Sequence, residues 1–323
     1  MRSMSTAAAT ACLLGFTLVA ASAQDFPSRP ATWILPYPPG GGTDAISRII
    51  TVDIAKGLGK PIVIENKPGA STQIGLRLVS DAAPDGHTIG MMTADINVTS
   101  ALLPTAPFDL NKDFTYITQI IEVPMVLVAN SKAPYKNLKE FVAYAKANPG
   151  KITAGSIGAT SIHHVGMEWF KKLAGLDFLV VPYRGTGPGL QAMIANEVDV
   201  MFMGVGVGDS YIENGTLRNI AVGSTYRIAR APNIPTFAEE GYPSFDLVSW
   251  YGMVAPPKTP PAVIARWNKE IRAVLNDPAV KNRVEAIGGI VKTGTSEELA
   301  AFVQRETEKY KAVARLTGLK VSQ

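Results

Sequence analysis

Residues 33–50 read WILPYPPGGGTDAISRII, and three kinds of chain follow one another inside that stretch. Trp33, Ile34 and Leu35 form a short apolar run that Pro36-Tyr37-Pro38-Pro39-Gly40-Gly41-Gly42 cannot continue. Beyond the glycines, Ile46, Ile49, Ile50 and Ile54 recur at helical spacing. Strand, glycine-rich turn and helix are the opening of a βαβ unit. The rhythm continues with PIVIE (61–65), a second helical stretch, and GHTIGMMT (86–93). Such alternation predicts an α/β protein with a mixed, mostly parallel sheet and covering helices.

Around 116–129 lie two apolar runs, TYITQI and VPMVLVA, with Glu122 to Pro124 between them. A second cycle follows, with helices at 138–148, 161–173 and 190–195 and strands at 152–154, 178–182, 198–203 and 219–222. A long extended run, FDLVSWYGMVA (245–255), precedes amphipathic helices at 262–276 and 297–316 and a short one at 279–287. Within the second cycle, Pro182-Tyr183-Arg184-Gly185-Thr186-Gly187-Pro188 repeats the plan of the first turn. Ligands of parallel α/β sheets sit at the carboxyl ends of strands, where such turns lie. Two such turns could face each other across a cleft between two lobes. Strand-to-helix turns are also glycine-rich for steric reasons alone, so the pattern leaves both readings open.

The chain has 323 residues, 46% hydrophobic and 18% charged, enough for about two domains with real cores. Its 31 basic and 27 acidic residues nearly balance, and no Lys/Arg cluster suited to a phosphate backbone appears, which argues against nucleic acid. Arg2, an apolar run over 11–21 and Ala21-Ser22-Ala23 have the layout of a secretory signal cut after Ala23 (residues 1–23). Cys12 is the only cysteine and lies inside that run. Cleavage would leave no thiol for disulfides, metal or nucleophilic catalysis.

In the first turn, Gly40 to Gly42 let backbone approach a ligand, and Thr43 or Asp44 is placed to cap the following helix. The open amides of its first turn favour an anion, worth roughly 0.3–1 kcal/mol from the helix dipole plus hydrogen bonds. No Gly-Lys-Ser/Thr follows and the glycines are contiguous, so neither a Walker loop nor a dinucleotide fingerprint is present. Gly155 to Ser161 also follows a strand and opens a helix, with Thr160 and Ser161 offering hydroxyls or plain capping. His163 and His164 are adjacent and point to different faces, His87 is distant, and no metal site is expected. No G-x-S-x-G elbow is present. Ser161 and His164 at i, i+3 suit a capping contact better than a nucleophile and base, and Asp44 and Asp95 have simpler places at a helix start and a strand end. Neither catalytic residues nor a cofactor are expected.

PYPPGGGTD (36–44), IENKPGASTQIG (64–75), APDGHTIG (83–90), FDLNKDFTYIT (108–118), HHVGMEWFKKLAG (163–175), VPYRG (181–185), VDVMF (198–202) and SWYGMVAP (249–256) occur in order. This set resembles the Bug family, the periplasmic solute-binding receptors of tripartite tricarboxylate transporters, from about Phe26 to the C-terminus. The resemblance implies a two-lobe, type II-like periplasmic-binding fold that closes over a small carboxylate in the interlobe cleft. It also implies two partners, the large and small membrane subunits of the transporter. The family's carboxylate-holding loops map onto 37–44 (Tyr37, Pro38, Gly41, Thr43, Asp44) and 158–164 (Thr160, Ser161, His164). Its cleft is further lined from loops corresponding to Ala70 and Thr72, to Thr93 and Asp95, and to Arg184 and Gly185. Arg184 is the cation placed to meet the second carboxylate of a diacid, or else a lobe-packing residue. Where amino-acid-binding members often carry an acid after the VDVMF strand, this chain has Met203 and Gly204. That departure disfavours a cationic group and makes room for an apolar, aromatic or aliphatic body. Asp95 is the awkward residue: facing the cleft, it would favour a hydroxyl or amine on the ligand.

Lobe one is expected over 25–123 and 249–323 and lobe two over 124–248, crossing near 119–123 and 247–250. A periplasmic monomer is the default for such receptors. The same fold could instead report to a sensor kinase, and an exported α/β enzyme is a third reading.

Overall fold

A computed structural model describes residues 26–103 and 105–320; the expected signal over 1–23 lies outside them. Strand β1 (Ala31–Leu35) leads into helix α1 (Gly42–Leu58), then β2 (Ile62–Asn66), α2 (Gln73–Ser80), β3 (Thr88–Thr93) and α3 (Asp95–Leu102). The long strand β4 (Thr115–Asn130) is followed by α4 (Leu138–Ala147), β5 (Thr153–Ser156), α5 (Ile162–Ala174), β6 (Leu179–Pro182) and α6 (Thr186–Ile194). Then come β7 (Val200–Gly204), α7 (Asp209–Glu213), β8 (Leu217–Val222) and β9 (Val248–Ala255). The chain ends with α8 (Pro261–Asn276), α9 (Pro278–Ala286), β10 (Ile290–Val291) and α10 (Ser296–Thr317).

The strands form one mixed sheet in the order β2-β1-β3-β9-β4-β7-β5-β6, with β8 and β10 also paired to β4. Its outer trios, β2-β1-β3 and β6-β5-β7, are parallel. Every antiparallel pair involves β4 or β9. The two apolar runs expected around 116–129 are one strand. Its residues Thr115 to Pro124 pair with β9, and Met125 to Ala129 pair with β7. Pro124 sits where the strand changes partners, so its missing N–H falls at a junction of ladders rather than inside one.

Helix α1 buries Ile46, Ile50, Ile54 and Leu58 on one face and ends on Gly59 in the left-handed conformation. That face packs with Ile264, Trp267, Ile271 and Leu275 of α8 against Trp33, Leu35, Met91 and Met253 of the sheet. Full burial of such side chains contributes about 1.5–3 kcal/mol each. Helix α10 starts with a reciprocal capping box between Thr295 and Glu298. Helix α3 leaves no periodic signature in the sequence, because Asp95, Ile96, Asn97, Val98 and Thr99 are all buried. Asn97 ties it to α10 through the Val303 carbonyl, 2.9 Å, and accepts from the Trp250 indole, 3.2 Å.

Gly206 and Gly288 both have φ of +93°, and here glycine is required. A Cβ at Gly288 would overlap the Val205 carbonyl, and one at Gly206 would stand 2.7 Å from the Ile287 oxygen. Backbone thus meets backbone between the β7–α7 and α9–β10 turns. No helix among the described residues is long and apolar enough to cross a membrane.

Candidate functional site

A cleft of about 450 Å³ opens at the carboxyl ends of β1, β6 and β7. The two turns of like plan, Tyr37 to Thr43 and Arg184 to Pro188, both line it, so the repeat noted in the sequence brings them to one cavity. Apolar side chains of Val123, Met125, Ile157, Ile162 and Leu190 supply much of the remaining wall.

The first turn is held from behind. Asp44 is buried; its carboxylate accepts from Arg48 Nε at 2.9 Å, Asn66 Nδ2 at 3.1 Å and the Gly40 N–H at 3.1 Å. The Arg48 hydrogen bond holds its carboxyl below the usual range. Asp44 therefore supports the turn and does not line the cleft. The N-cap of α1 is Gly41 rather than Thr43 or Asp44, with no side-chain cap. The N–H groups of Gly42, Thr43 and Asp44 have no partner among the described residues. Tyr251 reaches the same place: its hydroxyl would lie 3.9 Å from a Cβ at Gly42.

The second expected turn differs. Ser161 caps α5, accepting from the His164 N–H at 3.2 Å. The Ile162 N–H donates to Asp95 Oδ1 at 2.9 Å. Asp95 Oδ2 accepts from the Tyr37 hydroxyl at 2.7 Å, and that hydroxyl lies 2.6 Å from Thr93 Oγ1. With its own proton given to Asp95, Tyr37 receives the proton of Thr93. Burial pushes the Asp95 carboxyl up, while the bonds from Ile162 and Tyr37 pull it back. Asp95 does face the cleft.

Of the remaining expected residues, Pro38, Gly41, Arg184, Gly185 and Gly204 line the cleft. Arg184 is exposed and forms no hydrogen bond or ion pair with the described residues. Thr160 and Thr93 are buried beside it without lining it, and His164 is half-buried outside it. Ala70 and Thr72 belong to a turn of three residues with φ of 45°, 47° and 78°, whose Ser71 Oγ would stand 3.8 Å from a Cβ at Gly158. Met203 is fully buried, opposite Val126 in the sheet and within the cluster that holds Val198 and Val222. His163, Ser249 and Tyr251 line the cleft and were not singled out from the sequence. The SWYGMVAP motif carried two of them, and the HHVGMEWFKKLAG motif opens with the third. Burial holds His163 neutral, down at about 4. No group of acidic, His or Cys side chains among the described residues is arranged to hold a metal ion.

A family model described as "Tripartite tricarboxylate transporter family receptor" matches residues 46–319. Protein BugT of Bordetella pertussis is 31% identical, over 93% of this chain and 93% of its own. The solved structure of periplasmic binding protein BugD is 30% identical, with a TM-score of 0.85 over 91% of this chain and 99% of that one. MatC from Rhodopseudomonas palustris with bound malate is 32% identical, with a TM-score of 0.83 over 89% and 99%. Rpa4515 from R. palustris with adipate is 28% identical, with a TM-score of 0.87 over 92% and 99%. The chain thus has the two-lobe fold of periplasmic binding proteins.

Proposed function

This chain belongs to the tripartite tricarboxylate transporter receptor family, and we propose that it binds a small mono- or dicarboxylate with an apolar, aromatic or aliphatic body. Its family and neighbours are solute-binding receptors. One observation carries the finer reading: the uncapped amides of α1 open into an apolar cleft that also holds Arg184, which has no partner among the described residues. A ligand carboxylate takes the α1 amides of Gly42 and Thr43, and Arg184 receives a second carboxylate where there is one. The turn after β7, Val205 to Gly208, carries no acidic side chain, Asp209 beyond it does not line the cleft, and the apolar wall disfavours an ammonium group, which argues against amino acids.

The protein works without turnover, as a monomer exported by residues 1–23. The lobes, 25–123 with 249–323 and 124–248, close on the ligand and present it to a large and a small membrane subunit. The change of partners along β4 at Pro124 supports that division. Thermal unfolding against a panel of aromatic and aliphatic mono- and diacids, citrate and acidic amino acids tests the reading. A ligand at 100 times its Kd stabilises by about 2.7 kcal/mol, a shift of several degrees. Arg184→Gln should abolish the advantage of diacids over monoacids. Shifts confined to amino acids would overturn the proposal.

A further inference from the structure

Among the described residues lining the cleft, Asp95 is the only carboxylate. It is 5% exposed, and among the described residues no Lys, Arg or His side chain forms a hydrogen bond or ion pair with it. Its two hydrogen bonds, from Tyr37 and Ile162, leave acceptor positions unfilled, because each carboxylate oxygen carries two lone pairs. A buried charge with spare acceptor capacity is costly unless something donates to it.

The next amide of the same α5 turn, the His163 N–H, has no partner among the described residues. The His163 side chain lines the same cleft; it is 8% exposed, and its Nδ1 is buried without a partner. An acceptor and the unclaimed His163 amide therefore adjoin at the start of α5, where the His163 ring also lines the cleft.

Three ligand groups can be weighed there. A methylene satisfies neither side. An ammonium donates to Asp95 but cannot accept, and it faces the positive end of α5. A hydroxyl does both, donating to Asp95 and accepting from the α5 turn. Resting on the carboxylate-receptor reading above, we propose that the Asp95–His163 corner is a hydroxyl subsite. The receptor then selects hydroxycarboxylates over the same acids lacking the hydroxyl.

Calorimetric titration of the full protein with three matched sets tests this: malate, succinate and aspartate; lactate, propionate and alanine; mandelate, phenylacetate and phenylglycine. The hydroxy member of at least one set should bind about ten- to a hundredfold more tightly than its unsubstituted partner, the worth of one hydrogen bond to a charged group. Asp95→Asn keeps an acceptor for the Ile162 N–H, and it should shrink that ratio to about threefold or less. Should Asp95→Asn not fold, the wild-type ratios decide alone, with Tyr37→Phe as the second variant. Equal binding of hydroxy and unsubstituted members overturns the subsite and spares the carboxylate reading. Tightest binding by an amino member also overturns it. Silence from every acid in every set sinks the carboxylate reading, and the subsite with it.

Discussion

The turns that open α1 and α5 begin alike and end differently. Both follow a strand, and both put an extended residue at the N-cap, Gly41 with φ −86° and ψ 175° and Ser161 with φ −91° and ψ 152°. At α1 no side chain covers the first amides. At α5 the Ser161 hydroxyl takes one, and Asp95, 67 residues away in sequence, takes another. Backbone geometry makes both turns able to hold an anion. Side chains decide that one stays open to an anion, while the other joins two parts of the chain and leaves only the His163 amide for a neutral group.

Loss of an α1 amide should therefore appear in anion binding, and loss of the α5 cap in stability. The largest effect is expected from Gly42→Pro. Proline is tolerated at the first position of a helix, and its ring needs no N–H there. The extended Gly41 before it suits proline. One amide is lost from the open turn, so affinity for the tightest acid should fall about ten- to a hundredfold with the helix intact. Unchanged affinity would put the anion elsewhere.

A smaller effect belongs to Ser161→Ala, which removes a cap worth about 1 kcal/mol. Chemical denaturation should show that loss, with ligand affinity changed by less than about threefold. A large loss of affinity at constant stability would make α5 a second open anion site and erase the contrast.

The smallest effect is a difference in sign. Asp44 is held below the usual carboxylate range, chiefly by Arg48, so its stabilisation is present above a pH of about 4 and lost as pH falls through its lowered value. Asp95 is pushed up by burial, so the folded state holds its proton more tightly. The stability this brings is present below about pH 4 and lost as pH rises through its raised value. Urea midpoints between pH 3 and 7 should therefore show the penalty of Asp44→Asn growing with pH. That of Asp95→Asn should shrink, each by about 1 kcal/mol or less. Parallel trends would mean that the two carboxylates share one environment.

Much of this architecture could be read from local pattern. Ile46, Ile50 and Ile54 place α1, and the repeated Pro-Tyr turns at 36–42 and 182–188 meet at one cleft. Pro124 misled, because a proline that would break a ladder is harmless where a strand exchanges partners. Helix α3 was hidden because burial on all sides erases the period that reveals a surface helix. The bond from Ile162 to Asp95 has no local signature at all, and neither does the full burial of Met203. Which turn is open depends on contacts that only the folded chain creates.

The continuous β4 also orders events in time. Strands β5 to β8 and the second part of β4 lie within residues 125–222, a single stretch of chain. Strand β3, by contrast, has its outer neighbour β1 early but must wait for β9, at 248–255, to cover its other edge. In a chain emerging from its N-terminus, the half that starts first therefore finishes last. During that interval β3 presents an open edge, the kind of surface on which chains pair with the wrong partner.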